Sequence, residues 1–118
     1  QGTFSEMDED IYEMIEYFAS RNKVLYVHFR NVSDPTPNKF HEEFINTGYV
    51  DMVKAMKIYK DAGYQGCFMD DHCPDIYNDE EFPGNLGGYR SRIFAQGYIQ
   101  ALLDSIKWDI RHLQQELQ

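Results

Sequence analysis

Two short apolar segments of the sequence each end in residues that can carry chemistry. The first, residues 24–31, reads VLYVHFRN, and the second, residues 66–72, reads GCFMDDH. Side chains alternate along a strand, so His28 and Asp71 converge if the two segments are neighbouring parallel strands. Imidazole and carboxylate together suit Mn²⁺, Fe²⁺ or Zn²⁺. The simpler alternative is a histidine at a strand end that is hydrogen-bonded to an aspartate.

Two residues beside this pair extend the candidate site. His72 directly follows Asp71 and, because histidine titrates near neutrality, it is a natural proton-transfer group. The alternative for His72 is a histidine on a surface loop. Arg30 shares a strand face with His28 and is suited to clamp a substrate carboxylate in bidentate fashion. The alternative for Arg30 is an ion pair with one of the 20 acidic residues of the chain.

Further residues near these segments carry weaker signals. The segment 38–43 contains His41 and two acids, but it is more typical of a solvated helix start than of a metal motif. Cys67 is expected to be a small core residue, and Cys73 is a minor candidate for a ligand. Tyr89 follows two glycines, so it could reach the site from the last loop.

The elements that position these residues follow from the apolar periodicity. The predicted order is helix, strand, helix, strand, helix, over residues 8–21, 24–30, 50–62, 65–70 and 90–117. Ser5 and Asp8 resemble a capping box before the first helix, and Gly63 stands where a C-cap glycine belongs. The first strand is apolar on both faces, which predicts helices on both sides of it. Two long loops, 32–48 and 71–88, follow the strands, as in α/β barrels whose active sites are built from such loops.

Length and charge set limits on the fold and on the partners. The 118 residues suffice for one domain with a modest core, and the net charge of −9 argues against nucleic acid or anionic membranes as partners. No apolar run approaches the ~20 residues of a membrane span. Two cysteines favour a reduced, cytoplasmic protein. The chain starts with Gln1 and not with methionine, so we expect a processed or truncated product.

Two parallel strands do not close a barrel, and a two-stranded sheet is a poor independent unit. We therefore interpret residues 1–118 as a single partial (β/α) barrel domain of the α/β class. Such a unit is either part of a larger barrel or is completed by assembly into a homo-oligomer.

Several segments together resemble the C-terminal part of mannonate dehydratase. The most specific combination is His-Phe-Arg-Asn-Val at 28–32 with Asp-His-Cys-Pro at 71–74. Supporting segments are Phe-His-Glu at 40–42, Val-Asp-Met at 50–52, Gly-Tyr-Gln-Gly at 63–66 and Gly-Tyr-Ile-Gln-Ala-Leu-Leu at 97–103. The resemblance maps the chain onto the last two β-α units of that family and the helix before them.

The resemblance implies a TIM barrel that dehydrates D-mannonate to 2-keto-3-deoxy-D-gluconate with Mn²⁺ or Fe²⁺. It also implies roles for six residues: His28 and Asp71 as metal ligands, His72 and Tyr89 as acid/base groups, and Arg30 and Asn31 as substrate-binding residues.

The chain departs from this family in ways that bear on activity. The family completes its metal site with a histidine and a cysteine from earlier strands, which lie outside this chain. Asp70 stands where the family often has proline, and we choose Asp71 as the ligand because it adjoins His72. We therefore expect little dehydratase activity from this chain alone. The alternatives are a non-catalytic, self-assembling barrel fragment or another metal-dependent sugar isomerase-like barrel.

Overall fold

The computed structural model describes residues 1–79 and 88–116, with side chains up to residue 107. In chain order its elements are a 3₁₀ helix Thr3–Glu6, helix α1 Ile11–Ala19, strands β1 Tyr26–His28, β2 Asn31–Val32 and β3 Glu42–Glu43, helix α2 Met52–Asp61, strand β4 Cys67–Met69 and helix α3 Tyr89–Glu116. All five predicted elements are present in the predicted order. Among the described residues, no helix has both the length and the apolarity that a membrane span requires.

Strands β1 and β4 form the parallel pair that the sequence predicts. Tyr26 lies opposite Cys67 and His28 lies opposite Met69. The pairing continues one residue beyond β1, where the Phe29 N–H donates to the Met69 carbonyl over 2.8 Å. This register brings the C-terminal ends of both strands to the same edge of the sheet.

A second pair of strands lies in what the sequence predicts to be an irregular loop. β2 and β3 are antiparallel, with Asn31 opposite Glu43 and Val32 opposite Glu42. The expectation of a solvated helix start at 38–43 is therefore wrong. Glutamate is depleted in strands, so local propensity gave no sign of this pairing.

The core lies on one side of the β1–β4 sheet, where helices α1 and α2 pack against each other. Val27 and Phe29 of the first strand segment are fully buried there. Tyr26 and Met69 belong to the other face of the sheet, and about half of each side chain is exposed. Helices on both faces were expected, and this is wrong for the described residues. Cys67 is likewise exposed rather than a core residue, because it belongs to the open face.

The helix ends show one expected feature and one correction. Helix α1 begins after Asp10, whose carboxylate accepts hydrogen bonds from the first-turn N–H groups. The capping box expected at Ser5 and Asp8 is absent, because Ser5 is buried in the 3₁₀ helix and its hydroxyl donates to the Gly2 carbonyl. Gly63 follows α2 with φ +78°, which confirms the predicted glycine at that helix end.

Candidate functional site

The candidate site lies at the edge where β1 and β4 end. His28 is the last residue of β1, and Asp71 follows β4 by two positions. The His28 Nδ1 atom lies 3.1 Å from Asp71 Oδ2. The prediction that these side chains project to the same side from adjacent parallel strands is confirmed. The other ring nitrogen of His28 lies 3.2 Å from the Tyr26 hydroxyl, which fixes the plane of the imidazole.

Arg30 is the buried cation of this site. Its Nη1 atom lies 2.8 and 2.9 Å from the two carboxylate oxygens of Glu42, and another terminal nitrogen contacts Glu6. Its Nε lies 3.0 Å from Asp71 Oδ2. Of the two alternatives for Arg30, the structure shows the ion pair with the chain's own acids. The substrate-binding role of Arg30 stays a prediction.

Asn31 occupies an interior position, and the substrate-binding role that the resemblance implies stays a prediction. Its side chain is fully buried. The amide nitrogen donates to the carbonyls of Ile45 and Val50 over 3.0 and 2.8 Å. The amide oxygen accepts from the N–H groups of Val32 and Val50. Because every polar atom of its side chain is used by backbone groups, Asn31 holds the loop before α2 in place.

His72 is the most exposed member of the cluster, with 62% of its side chain accessible. Its Nδ1 lies 3.2 Å from Glu42 Oε1, and its Nε2 lies 3.6 Å from Asp71 Oδ1. Sequence reasoning gave Glu42 no role in the site. The available signal was its place in the Phe-His-Glu segment of the family resemblance.

The charge state of Asp71 follows from its neighbours. Burial raises the pKa of this carboxyl, but the hydrogen bond with His28 and the charges of His72, His28 and Arg30 lower it by more. The net result is a pKa below the ordinary value of 3.8. Asp71 is therefore a carboxylate at neutral pH, which is the form that binds a cation.

The structure separates the two consecutive aspartates. Asp70 is buried and faces α3, where it accepts from Arg92 over 3.1 Å and from Gln96 over 2.9 Å. Asp71 faces His28 and Arg30. The choice of Asp71 as the site carboxylate therefore agrees with this geometry, since both oxygens of Asp70 are bonded to the last helix.

Tyr89 is the first residue of α3, and half of its side chain is exposed. The loop expected to carry it towards the site includes residues 80–87, which lie outside the described residues. The start of α3 is tied to the segment after β4, because the Ser91 hydroxyl donates to the Pro74 carbonyl over 2.7 Å. The acid/base role of Tyr89 stays a prediction.

The residues present supply part of a metal site. Ligand atoms about 2.1 Å from an ion and at right angles lie about 3.0 Å apart, so the His28–Asp71 spacing suits two adjacent coordination positions. Burial, with Asp70 nearby, raises the pKa of Cys73 to about 11, so this thiol is a poor ligand at neutral pH. Within the described ranges, no group of three histidine, cysteine, aspartate or glutamate side chains is arranged to hold a metal. These residues therefore do not make a complete metal site.

Comparison with known proteins relates this geometry to one family. The D-mannonate dehydratase (UxuA) family model matches residues 1–113. Mannonate dehydratase of Brachyspira hyodysenteriae is 30% identical over 105 residues, which cover 87% of this chain and 28% of that protein. The Enterococcus faecalis enzyme is 32% identical over 88 residues, covering 73% of this chain and 24% of its own length.

A solved structure supports the same relationship. The crystal structure of mannonate dehydratase from Streptococcus suis serotype 2 superposes with a TM-score of 0.67 at 29% identity, over 79% of this chain and 27% of that one. The chain thus spans about a quarter of the length of these relatives. With its parallel strand pair, its clustered strand ends and a family match over nearly all of its length, the chain belongs to the D-mannonate dehydratase (UxuA) family.

Proposed function

We propose that this chain supplies the C-terminal part of a metal-dependent mannonate dehydratase, which converts D-mannonate to 2-dehydro-3-deoxy-D-gluconate. The observation that carries this proposal is the 3.1 Å approach of His28 and Asp71 at the ends of adjacent parallel strands. In the proposed site these two residues provide two ligands to Mn²⁺ or Fe²⁺. We place the remaining ligands outside this chain, because no group of three histidine, cysteine, aspartate or glutamate side chains among the described residues is arranged to hold a metal.

The chemistry of the reaction explains the other residues of the cluster. Dehydration of a sugar acid removes the proton next to the carboxylate and expels a neighbouring hydroxyl. A divalent cation, when bound, supplies Lewis acidity towards the charge that develops on the carboxylate. His72, exposed beside Asp71, is the residue that we propose for proton transfer, with Tyr89 as the second acid/base group.

The open face of the β1–β4 sheet supports a partial barrel. Tyr26 and Met69 are about half exposed on this face, and Leu25, which precedes β1, is 87% exposed. Monomeric proteins rarely leave such an apolar sheet face and two strand edges uncovered. We propose that further strands cover this face, either from a longer protein or from a second copy of the chain. A reduced, cytoplasmic setting belongs to the same proposal.

A chimeric enzyme tests the catalytic proposal. The aligned segment of the Streptococcus suis dehydratase is replaced by this chain, and keto-acid formation from D-mannonate is followed with Mn²⁺ or Fe²⁺. We expect turnover by the chimera, little turnover by the isolated chain, and loss of turnover in the chimera on His28→Ala. His41→Ala is the matched control, because His41 is exposed and is held by Ser33 and Glu43, away from Asp71.

The outcomes separate the candidate functions. A folded chimera that binds metal but leaves mannonate unchanged would overturn the dehydratase assignment. Conversion between an aldose and a ketose by that chimera would favour the isomerase-like alternative. If the isolated chain assembles, and neither it nor the chimera turns over mannonate, the non-catalytic fragment is favoured.

A further inference from the structure

Glu42 contacts the residue that we propose for proton transfer. It lies on β3, remote in sequence from β4, yet its Oε1 lies 3.2 Å from the Nδ1 of His72 with hydrogen-bond geometry. About a quarter of the Glu42 side chain is exposed, so water competes only partly for this carboxylate. A histidine at a reactive centre is often oriented by a carboxylate on its second nitrogen.

The position of Glu42 is fixed independently of His72. Arg30 donates to both of its oxygens, and Arg30 is itself buried. Glu42 is also in register opposite Val32 in the β2–β3 pair. The neighbouring Glu43 points elsewhere and bonds to His41. Glu42 is therefore the β3 carboxylate that can orient His72.

The two nitrogens of His72 have different surroundings. Nδ1 lies within hydrogen-bond distance of the Glu42 carboxylate, which can act only as a hydrogen-bond acceptor. Nε2 lies 3.6 Å from Asp71 Oδ1, which is longer than a hydrogen bond. The neutral ring is then best accommodated with its hydrogen on Nδ1. Neutral imidazole in water prefers the hydrogen on Nε2, so the contact with Glu42 favours the opposite tautomer.

We propose that Glu42 is a positioning residue that holds His72 in the Nδ1–H tautomer and so presents a free electron pair at Nε2, beside Asp71. In the proposed dehydration this nitrogen takes the proton from the substrate carbon, and the imidazolium that forms is stabilised by Glu42. The proton-transfer role rests on the proposed function, whereas the tautomer is a property of this chain that can be measured without turnover.

Nitrogen-15 NMR of the imidazole rings tests the proposal. The spectrum is recorded at a pH high enough that the ring signals no longer change with pH. His72→Gln identifies the signals of His72. We expect a protonated Nδ1 and an unprotonated Nε2 in the wild-type chain. In Glu42→Ala, we expect the hydrogen to return mainly to Nε2.

Glu43→Ala is the matched control, because it removes the neighbouring strand carboxylate without touching His72. It should change the signals of His41 and leave the His72 tautomer as it is. If Glu42→Ala does not fold, Glu42→Gln replaces it; its amide oxygen is a weaker acceptor, so the Nδ1–H fraction should fall. A wild-type ring protonated on Nε2, or a tautomer unchanged in a folded Glu42 variant, would overturn the proposal. Neither result depends on whether the chain acts on mannonate.

Discussion

The Nε atom of Arg30 lies 3.0 Å from Asp71 Oδ2, while the Nη1 atom of the same guanidinium holds Glu42. One buried cation therefore connects the proposed metal ligand to the carboxylate that orients His72. The contacts of Arg30 with Glu6, Glu42 and Asp71 thus hold the site together through the chain's own residues.

Replacement of Arg30 by methionine should destabilise the fold strongly. Methionine keeps most of the apolar stem but leaves Glu6, Glu42 and Asp71 close together without their shared cation. Breaking a buried ion pair from one side costs about 3–5 kcal/mol. Urea unfolding followed by circular dichroism measures the change in the free energy of unfolding. Arg21→Met is the control, because Arg21 is exposed and should cost about 0.5 kcal/mol. A loss of similar size in both variants would contradict the central role of Arg30.

Asn31→Ala should act on stability. The substitution leaves the carbonyls of Ile45 and Val50 and the N–H of Val50 without their hydrogen-bond partner inside the protein. We expect a loss of about 2–4 kcal/mol in the free energy of unfolding, measured by thermal and urea unfolding. Asn46→Ala, at an exposed position of the same loop, should change it little. An Asn31→Ala chain as stable as the wild type would contradict this structural role of Asn31.

Asp71→Asn should make the free energy of unfolding depend less steeply on pH under acidic conditions. The pKa of Asp71 is lower in the folded chain than its ordinary value. Its contribution to stability is therefore present above the unfolded pKa and is lost as pH falls through the folded pKa. Between about pH 5 and pH 2 the wild type should lose more free energy of unfolding than Asp71→Asn does. Asp61→Asn, at an exposed position, controls for the loss of one charge. If stability falls equally with pH in the wild type and in Asp71→Asn, the neighbours of Asp71 do not lower its pKa in the folded chain.

Met69→Lys should weaken self-association of the isolated chain. Met69 lies on the open face of the β1–β4 sheet beside Tyr26, where a second copy would have to bury the new charge. Sedimentation at micromolar concentration should show assembly of the wild type and a shift of the variant towards monomer. Tyr77→Lys is the control, because Tyr77 is exposed on the loop after β4. A wild-type chain that is a stable monomer would contradict assembly through this face.

The strand ends were predictable from the sequence, whereas their surroundings were not. The alternation along each strand and the parallel order of the β-α-β unit placed His28 beside Asp71. The role of Asn31 depends on carbonyls at residues 45 and 50, which no local pattern connects to it. The β2–β3 pair is equally hidden, because Glu42 and Glu43 have low strand propensity and pair through long-range contacts. The exposed sheet face, by contrast, follows from the strand count alone, because two apolar strands leave one face and two edges without partners.

Asp70 and Asp71 are bonded in opposite directions, one to α3 and the other to β1 and the segment after it. A single peptide unit thus joins the outer helix to the reactive edge of the sheet. A displacement of Asp70 by α3 has only this one peptide unit to cross before it reaches Asp71. The packing of α3 therefore helps to set the position of the Asp71 carboxylate at the end of β4.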